Sequence, residues 1–168
     1  MRRALATLAV VLPAVLPLRV HAQEGGPAGA PTGLTVTASL AGGGELGLEH
    51  GKAGVFELEG AVGYELSNGM IRPEFAIALG VAPDDNVALR PGVRFALPNL
   101  PIQLRAALDA SNSRGASGLE WRWLILGVAA EVRWTSLLGL YVEGDTGFRL
   151  SSRSGLPLLI RAGASFRF

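Results

Sequence analysis

Chemistry needs reactive side chains within reach of one another, and this sequence has few. It contains no cysteine, which excludes thiol nucleophiles, disulfides and cysteine metal sites. Acyl hydrolysis or transfer requires an activated hydroxyl beside a base. His50 is the one histidine outside the apolar leader, and Glu45 and Glu49 flank it. Ser111, Ser113 and Ser117 supply hydroxyls in a second polar stretch. These residues are read either as a cluster formed across loops or as ordinary polar loop residues. One such histidine and no cysteine make no metal site. Asp84-Asp85 could touch a divalent ion, but a Pro-Asp-Asp-Asn turn needs no such role. Gly42-Gly43-Gly44 lacks the Lys-Ser/Thr ending and following helix of a phosphate loop. No cofactor is expected.

The charges that remain fall at alternate positions along apolar stretches. Glu57, Glu59, Glu65, Glu74, Asp109, Glu131, Glu143 and Asp145 supply eight negative charges. Arg72, Arg90, Arg94, Arg105, Arg133, Arg149, Arg161 and Arg167 supply eight positive ones. Such sites suit ion pairing and space filling better than catalysis, because structural ion-pair networks are common. Where the tight turns set the register, Glu65 lies near Arg72, Arg90 near Asp109, Glu74 near Arg94, and Asp145 near Arg161.

The elements that hold these charges have a period of two, the mark of strands. Eight such stretches cover 33–42, 54–66, 70–81, 86–97, 101–110, 119–134, 137–150 and 156–168. In the first, Leu34, Val36, Ala38 and Leu40 oppose Thr35, Thr37 and Ser39. The eighth sets Leu158, Ile160, Ala162 and Ala164 against Arg161, Ser165 and Arg167. Ser67-Asn68-Gly69, Pro98-Asn99-Leu100 and Thr135-Ser136 read as tight turns. Gly43 to Ala53 and Ser111 to Gly118 read as long connectors on the opposite side. Pro73 and Pro91 sit inside strands and should each mark a bulge or a ladder gap. The sixth stretch changes phase near Trp123, which also points to a bulge.

Hydrophobic residues make up 49% of the chain and charged residues only 17%, well below the roughly 25% of soluble domains. Yet past the N-terminus no apolar run reaches the length of about 18 residues needed for a spanning helix. A closed barrel is the other structure that satisfies its own backbone in lipid. No charge sits mid-strand on the apolar face, where a bilayer would penalise one by roughly 2–4 kcal/mol. Tyr64, Trp134, Phe166 and Phe168 would form one aromatic belt, and Phe56, Trp121, Trp123 and Phe148 the other. The alternative is a soluble barrel that buries the apolar face, whose polar exterior would carry several lysines. Beyond the leader there is one, Lys52.

The N-terminus reads as an address. Arg2 and Arg3 precede an apolar segment from Ala4 to Leu18, and Val20-His21-Ala22 offers small residues for a signal peptidase. Cleavage is expected after Ala22. Loss of Arg2, Arg3 and Arg19 would turn the net charge of +1 into −2, so no basic surface invites nucleic acid. Residues 23–32 are rich in Gly, Pro and Ala and read as a flexible lead-in to a barrel over 33–168.

The last nine residues, Ile160-Arg161-Ala162-Gly163-Ala164-Ser165-Phe166-Arg167-Phe168, resemble the final strand of bacterial outer-membrane proteins. That strand ends in an aromatic residue after alternating apolar positions. The resemblance is to small eight-stranded barrels such as the transmembrane domain of outer-membrane protein A. It covers 33–168 in architecture and the last strand in motif. It implies an all-β, antiparallel up-and-down transmembrane barrel with both termini in the periplasm. It also implies that Phe166 and Phe168 act as an assembly signal for the barrel-assembly machinery.

The expected partners are outer-membrane lipid and lipopolysaccharide, and a monomer without a periplasmic peptidoglycan-binding domain is expected. The expected role is structural or surface-interacting, with a charge-filled lumen rather than a large pore. Two alternatives stay open. One is a lipid A-modifying enzyme, although no Ser closely follows His50 as in the lipid A deacylases. The other is a soluble periplasmic barrel that binds a small ligand.

Overall fold

A computed structural model describes residues 33–48, 51–66, 69–82, 86–112, 118–151 and 155–168. Eight strands follow one another: β1 (Leu34–Leu48), β2 (Gly51–Tyr64), β3 (Ile71–Ala82), β4 (Asn86–Ala96), β5 (Ile102–Asn112), β6 (Leu119–Arg133), β7 (Leu138–Arg149) and β8 (Leu156–Arg167). Each pairs antiparallel with the next, and β8 returns to β1 to close a barrel. The leader and the lead-in lie outside the described residues.

The alternation decides which side faces in. Thr35, Thr37 and Ser39 are buried on β1, while Leu34 and Leu40 are exposed. The same holds around the barrel, with polar and charged side chains turned inward and Leu58, Phe75, Val87, Val142 and Ile160 turned outward. The molecule is therefore inverted relative to a soluble barrel, because its apolar face is the outer wall. Among the described residues no Asp, Glu, Lys or Arg lies on that wall between the strand ends.

Three connectors at one end are tight. Gly69 and Asn99 adopt left-handed backbone, with φ of 63° and 62°, where Gly and Asn are tolerated best. Thr135 Oγ1 accepts hydrogen bonds from the amides of Leu137 (3.2 Å) and Leu138 (2.9 Å).

The first hairpin differs from expectation. Instead of a long connector over Gly43 to Ala53, β1 runs on to Leu48 and β2 begins at Gly51, with one irregularity between Glu45 and Leu48. Gly42-Gly43-Gly44 has no side chains to alternate, so the period is blank there, but ladder bonds need only backbone. Gly43 has a further role: a Cβ there would overlap the Leu158 carbonyl oxygen on β8.

Both prolines sit at ladder gaps, without bulges. The β2–β3 ladder stops at Gly63↔Glu74, just before Pro73. The β4–β5 ladder skips Arg90 and Pro91 and resumes in the same register at Gly92↔Ala107. The phase change on β6 is a bulge. Asp109 pairs with Trp123 and Ala110 with Trp121, which leaves Arg122 as the extra residue.

Candidate functional site

Among the described residues, the interior is where many polar groups converge. Arg90 is the best-connected of them. From β4 it donates Nε to Asp109 Oδ2 on β5 at 2.7 Å. Its Nη1 reaches Glu57 Oε1 at 2.5 Å and Glu59 Oε2 at 2.7 Å, both on β2, and Nη2 reaches Glu57 Oε2 at 2.8 Å. Ser111 Oγ donates to the free side of Asp109 at 2.8 Å.

Below this group, Arg94 bonds Glu74 at 2.8 Å and Glu143 at 2.7 Å, with its guanidinium 5.5 Å from the Tyr141 ring centre. Arg105 crosses the lumen from β5 and lies within 2.9 Å of Glu74, 3.0 Å of Glu59 and 3.6 Å of Glu143. Arg161 joins Asp145 at 3.0 Å to Glu57 at 2.8 Å and Glu59 at 3.3 Å. Near the tight-turn end, Arg72 stands 3.7 Å from both Glu65 and Glu74. Arg167 bonds Glu65 at 3.0 Å and Glu131 at 2.7 Å, and Ser165 and Gln103 also donate to Glu131.

These contacts join fourteen of the sixteen charges singled out in the sequence into one continuous network. All fourteen are buried. The structure brings together all four expected neighbour pairs. Arg133 and Arg149 are different. They share the inward parity, but they lie at the last residues of β6 and β7 and are exposed, so they stand outside the network.

The network fits because alanine and glycine face it. A Cβ on Gly127 would overlap Asp145 Oδ1 and lie 2.6 Å from Glu143 Oε1. Gly144 faces outward, and nothing lies within 4 Å of a Cβ there. Gly127→Val should therefore lower stability by about 1–3 kcal/mol, the usual cost of overpacking. Gly144→Val should be near neutral. Paired urea titrations in lipid vesicles check the contrast, and equal effects would mean the carboxylates move aside freely.

A second buried cluster lies toward the other end and was not foreseen. Arg122 Nη2 donates to Glu45 at 3.1 Å and its guanidinium lies 4.0 Å from the Trp123 ring centre. Trp123 Nε1 donates to the Gly155 carbonyl at 2.9 Å, and the Gly155 amide donates to Glu45 at 2.6 Å. Trp123 is therefore buried in the lumen and is not part of the outer aromatic belt, because the bulge turns it inward. Trp121, Phe56 and Phe148 keep their outward positions. The phase break and the continued odd-number parity from Thr35 to Glu45 are the signals that could have located this cluster.

Glu45 is buried against Arg122 and Gly155, and Ser111 donates to Asp109. His50, Glu49, Ser113, Ser117 and Asp84-Asp85 lie outside the described residues.

Neither a protein-family model nor a curated protein sequence matches the chain. Solved structures do match in fold. Neisserial surface protein A superposes with a TM-score of 0.57 at 14% identity, over 82% of this chain and 98% of that one. A de novo designed transmembrane β-barrel gives 0.56 at 14% identity, over 83% and 98%. The N-terminal β-barrel domain of Pseudomonas aeruginosa OprF gives 0.53 at 15%, over 80% and 97%. The fold is that of small eight-stranded outer-membrane barrels.

Proposed function

We propose that this chain is an integral outer-membrane protein whose barrel is plugged, with a structural or surface-interaction role rather than enzymatic or pore activity. The observation that carries this reading is the continuous network of buried ion pairs from Glu131 and Arg167 up to Asp109. An eight-stranded barrel has an interior just wide enough for side chains to fill, and here they hold one another across it. An outer wall of apolar side chains meets the needs of hydrocarbon. In this reading residues 1–22 direct secretion and are removed after Ala22, and 23–32 are a flexible lead-in. Phe166 and Phe168 present the last strand to the assembly machinery. The outer wall contacts lipid and lipopolysaccharide, and the barrel is a monomer.

The test is expression with the leader in a Gram-negative host. The outer-membrane fraction should contain a band whose gel mobility shifts on boiling. Purified into planar bilayers, that protein should give no large, reproducible single-channel steps. Stable steps would overturn the plugged lumen, whereas an unshifted, soluble periplasmic protein would overturn the membrane reading.

A further inference from the structure

Seven of the eight strand pairs are consecutive in sequence and joined by a connector. The eighth, β1–β8, has no connector and must be closed by contacts across most of the chain. The side chains that cross it share one design. The inward residues along the first part of β1 are short, namely Thr35, Thr37, Ser39 and Ala41. The arginines of β8 pass over it to reach β2. Arg161, wholly buried, donates Nη2 to Glu57 at 2.8 Å and places Nη1 3.3 Å from Glu59. On its own side of the seam it is held by Asp145 on β7, through Nε at 3.1 Å and Nη2 at 3.0 Å. On the way it touches Ser39 Oγ of β1 at 3.4 Å. Arg167 repeats the pattern nearer the strand ends, bonding Glu131 on β6 and Glu65 just beyond β2. Between the two arginines, Gly163 lets β8 lie close to β1, since a Cβ there would stand 2.5 Å from the Ala38 carbonyl oxygen and 2.6 Å from Ser39 Cβ.

We infer that Arg161, with Arg167 as its counterpart nearer the strand ends, is the latch that closes the β1–β8 seam. Its forked guanidinium ties β7 to β2 across the two seam strands, and this tie exists only when the barrel is closed. Arg94 is similarly buried but stands on β4, away from the seam, and joins Glu74 on β3 to Glu143 on β7, so neither it nor these partners lie on a seam strand. Arg161 is a positioning residue, and its role predicts a local effect that lumen filling alone does not.

Lysine keeps the charge but offers one nitrogen in place of three, so it forfeits the Nε bond to Asp145 and the Nη1 approach to Glu59 and Ser39. In the full barrel in micelles, amide hydrogen exchange reads opening strand by strand. Arg161→Lys should speed exchange of the β1 and β8 amides about tenfold, as expected for losing one charge-assisted hydrogen bond, and leave the β4–β5 hairpin unchanged. Arg94→Lys should leave the seam amides at the parent rate. Glu65→Gln, a milder change, should speed exchange only where β1 and β8 meet near Thr35 and Arg167. The latch is overturned if Arg161→Lys leaves seam exchange unchanged or alters all strands alike, including by preventing folding. It is overturned equally if Arg94→Lys loosens the seam as much, or if Glu65→Gln acts evenly or not at all.

Discussion

Arg90→Met should lower the stability of the folded barrel by about 3–5 kcal/mol, the cost of breaking a buried ion pair by removing one partner. The side chain is almost completely buried and makes four short hydrogen bonds to three carboxylates. Methionine fills similar space, so packing changes little. What changes is that Glu57, Glu59 and Asp109 lose a shared guanidinium in a region that water does not freely enter. Their remaining partners are unequal, since Glu57 keeps Arg161, Glu59 keeps Arg161 and Arg105, and Asp109 keeps the neutral Ser111 hydroxyl. Adding Glu57→Gln and Asp109→Asn to Arg90→Met should recover part of the loss, because a neutral polar cluster costs less than unpaired charge. Urea titration in phospholipid vesicles, read by the compact band on unboiled gels, measures it. A loss below about 1 kcal/mol, the scale of solvent-exposed pairs, would mean that water reaches these carboxylates.

Ile77→Arg should cost about 2–4 kcal/mol in a bilayer, the penalty for a cation on the lipid face near mid-depth. Ile77 lies outward in the middle of β3 and is 46% exposed. On a surface bathed in water the same substitution would fall within about 0.5 kcal/mol of neutral. The variant therefore separates the membrane barrel from a soluble one without reference to the lumen. It is measured by the same urea titration in vesicles, and a neutral result would return the apolar wall to another kind of partner.

The parts of the barrel that were legible in the sequence are those set by one strand or one hairpin. Thr35 against Leu34, or Arg161 against Ile160, follows from alternation alone. The pairs Glu65–Arg72 and Arg90–Asp109 follow from alternation plus a tight turn. The cross-lumen contacts were not legible. That Arg105 meets Glu143, or Arg94 meets Glu143 rather than Glu74 alone, depends on how far the register climbs around the closed sheet. No single hairpin states that quantity. Local irregularity hid the rest. Arg122 and Trp123 are adjacent yet both turn inward, which no period of two can express. Gly42 to Gly44 carry no pattern, so β1 ran further than expected. Arg133 and Arg149 have the right parity, but each is its strand's last residue, where inward no longer means buried.

The two sides of the wall set different terms for sequence drift. Outward positions ask only for apolar bulk, so Leu58, Phe75 and Val142 can exchange with other hydrophobic residues one at a time at small cost. Inward positions are chosen as sets. A change at Glu57 alters the surroundings of Arg90 and Arg161 together, and replacing Gly127 disturbs Glu143 and Asp145. The outer half of each strand is then free to diverge, and the inner half moves from one self-consistent solution to another in coordinated steps. Barrels with the same backbone can thus share very little sequence, as the 14–15% identities to its structural neighbours illustrate. In relatives of this chain, substitutions should be independent on the wall and correlated in the lumen.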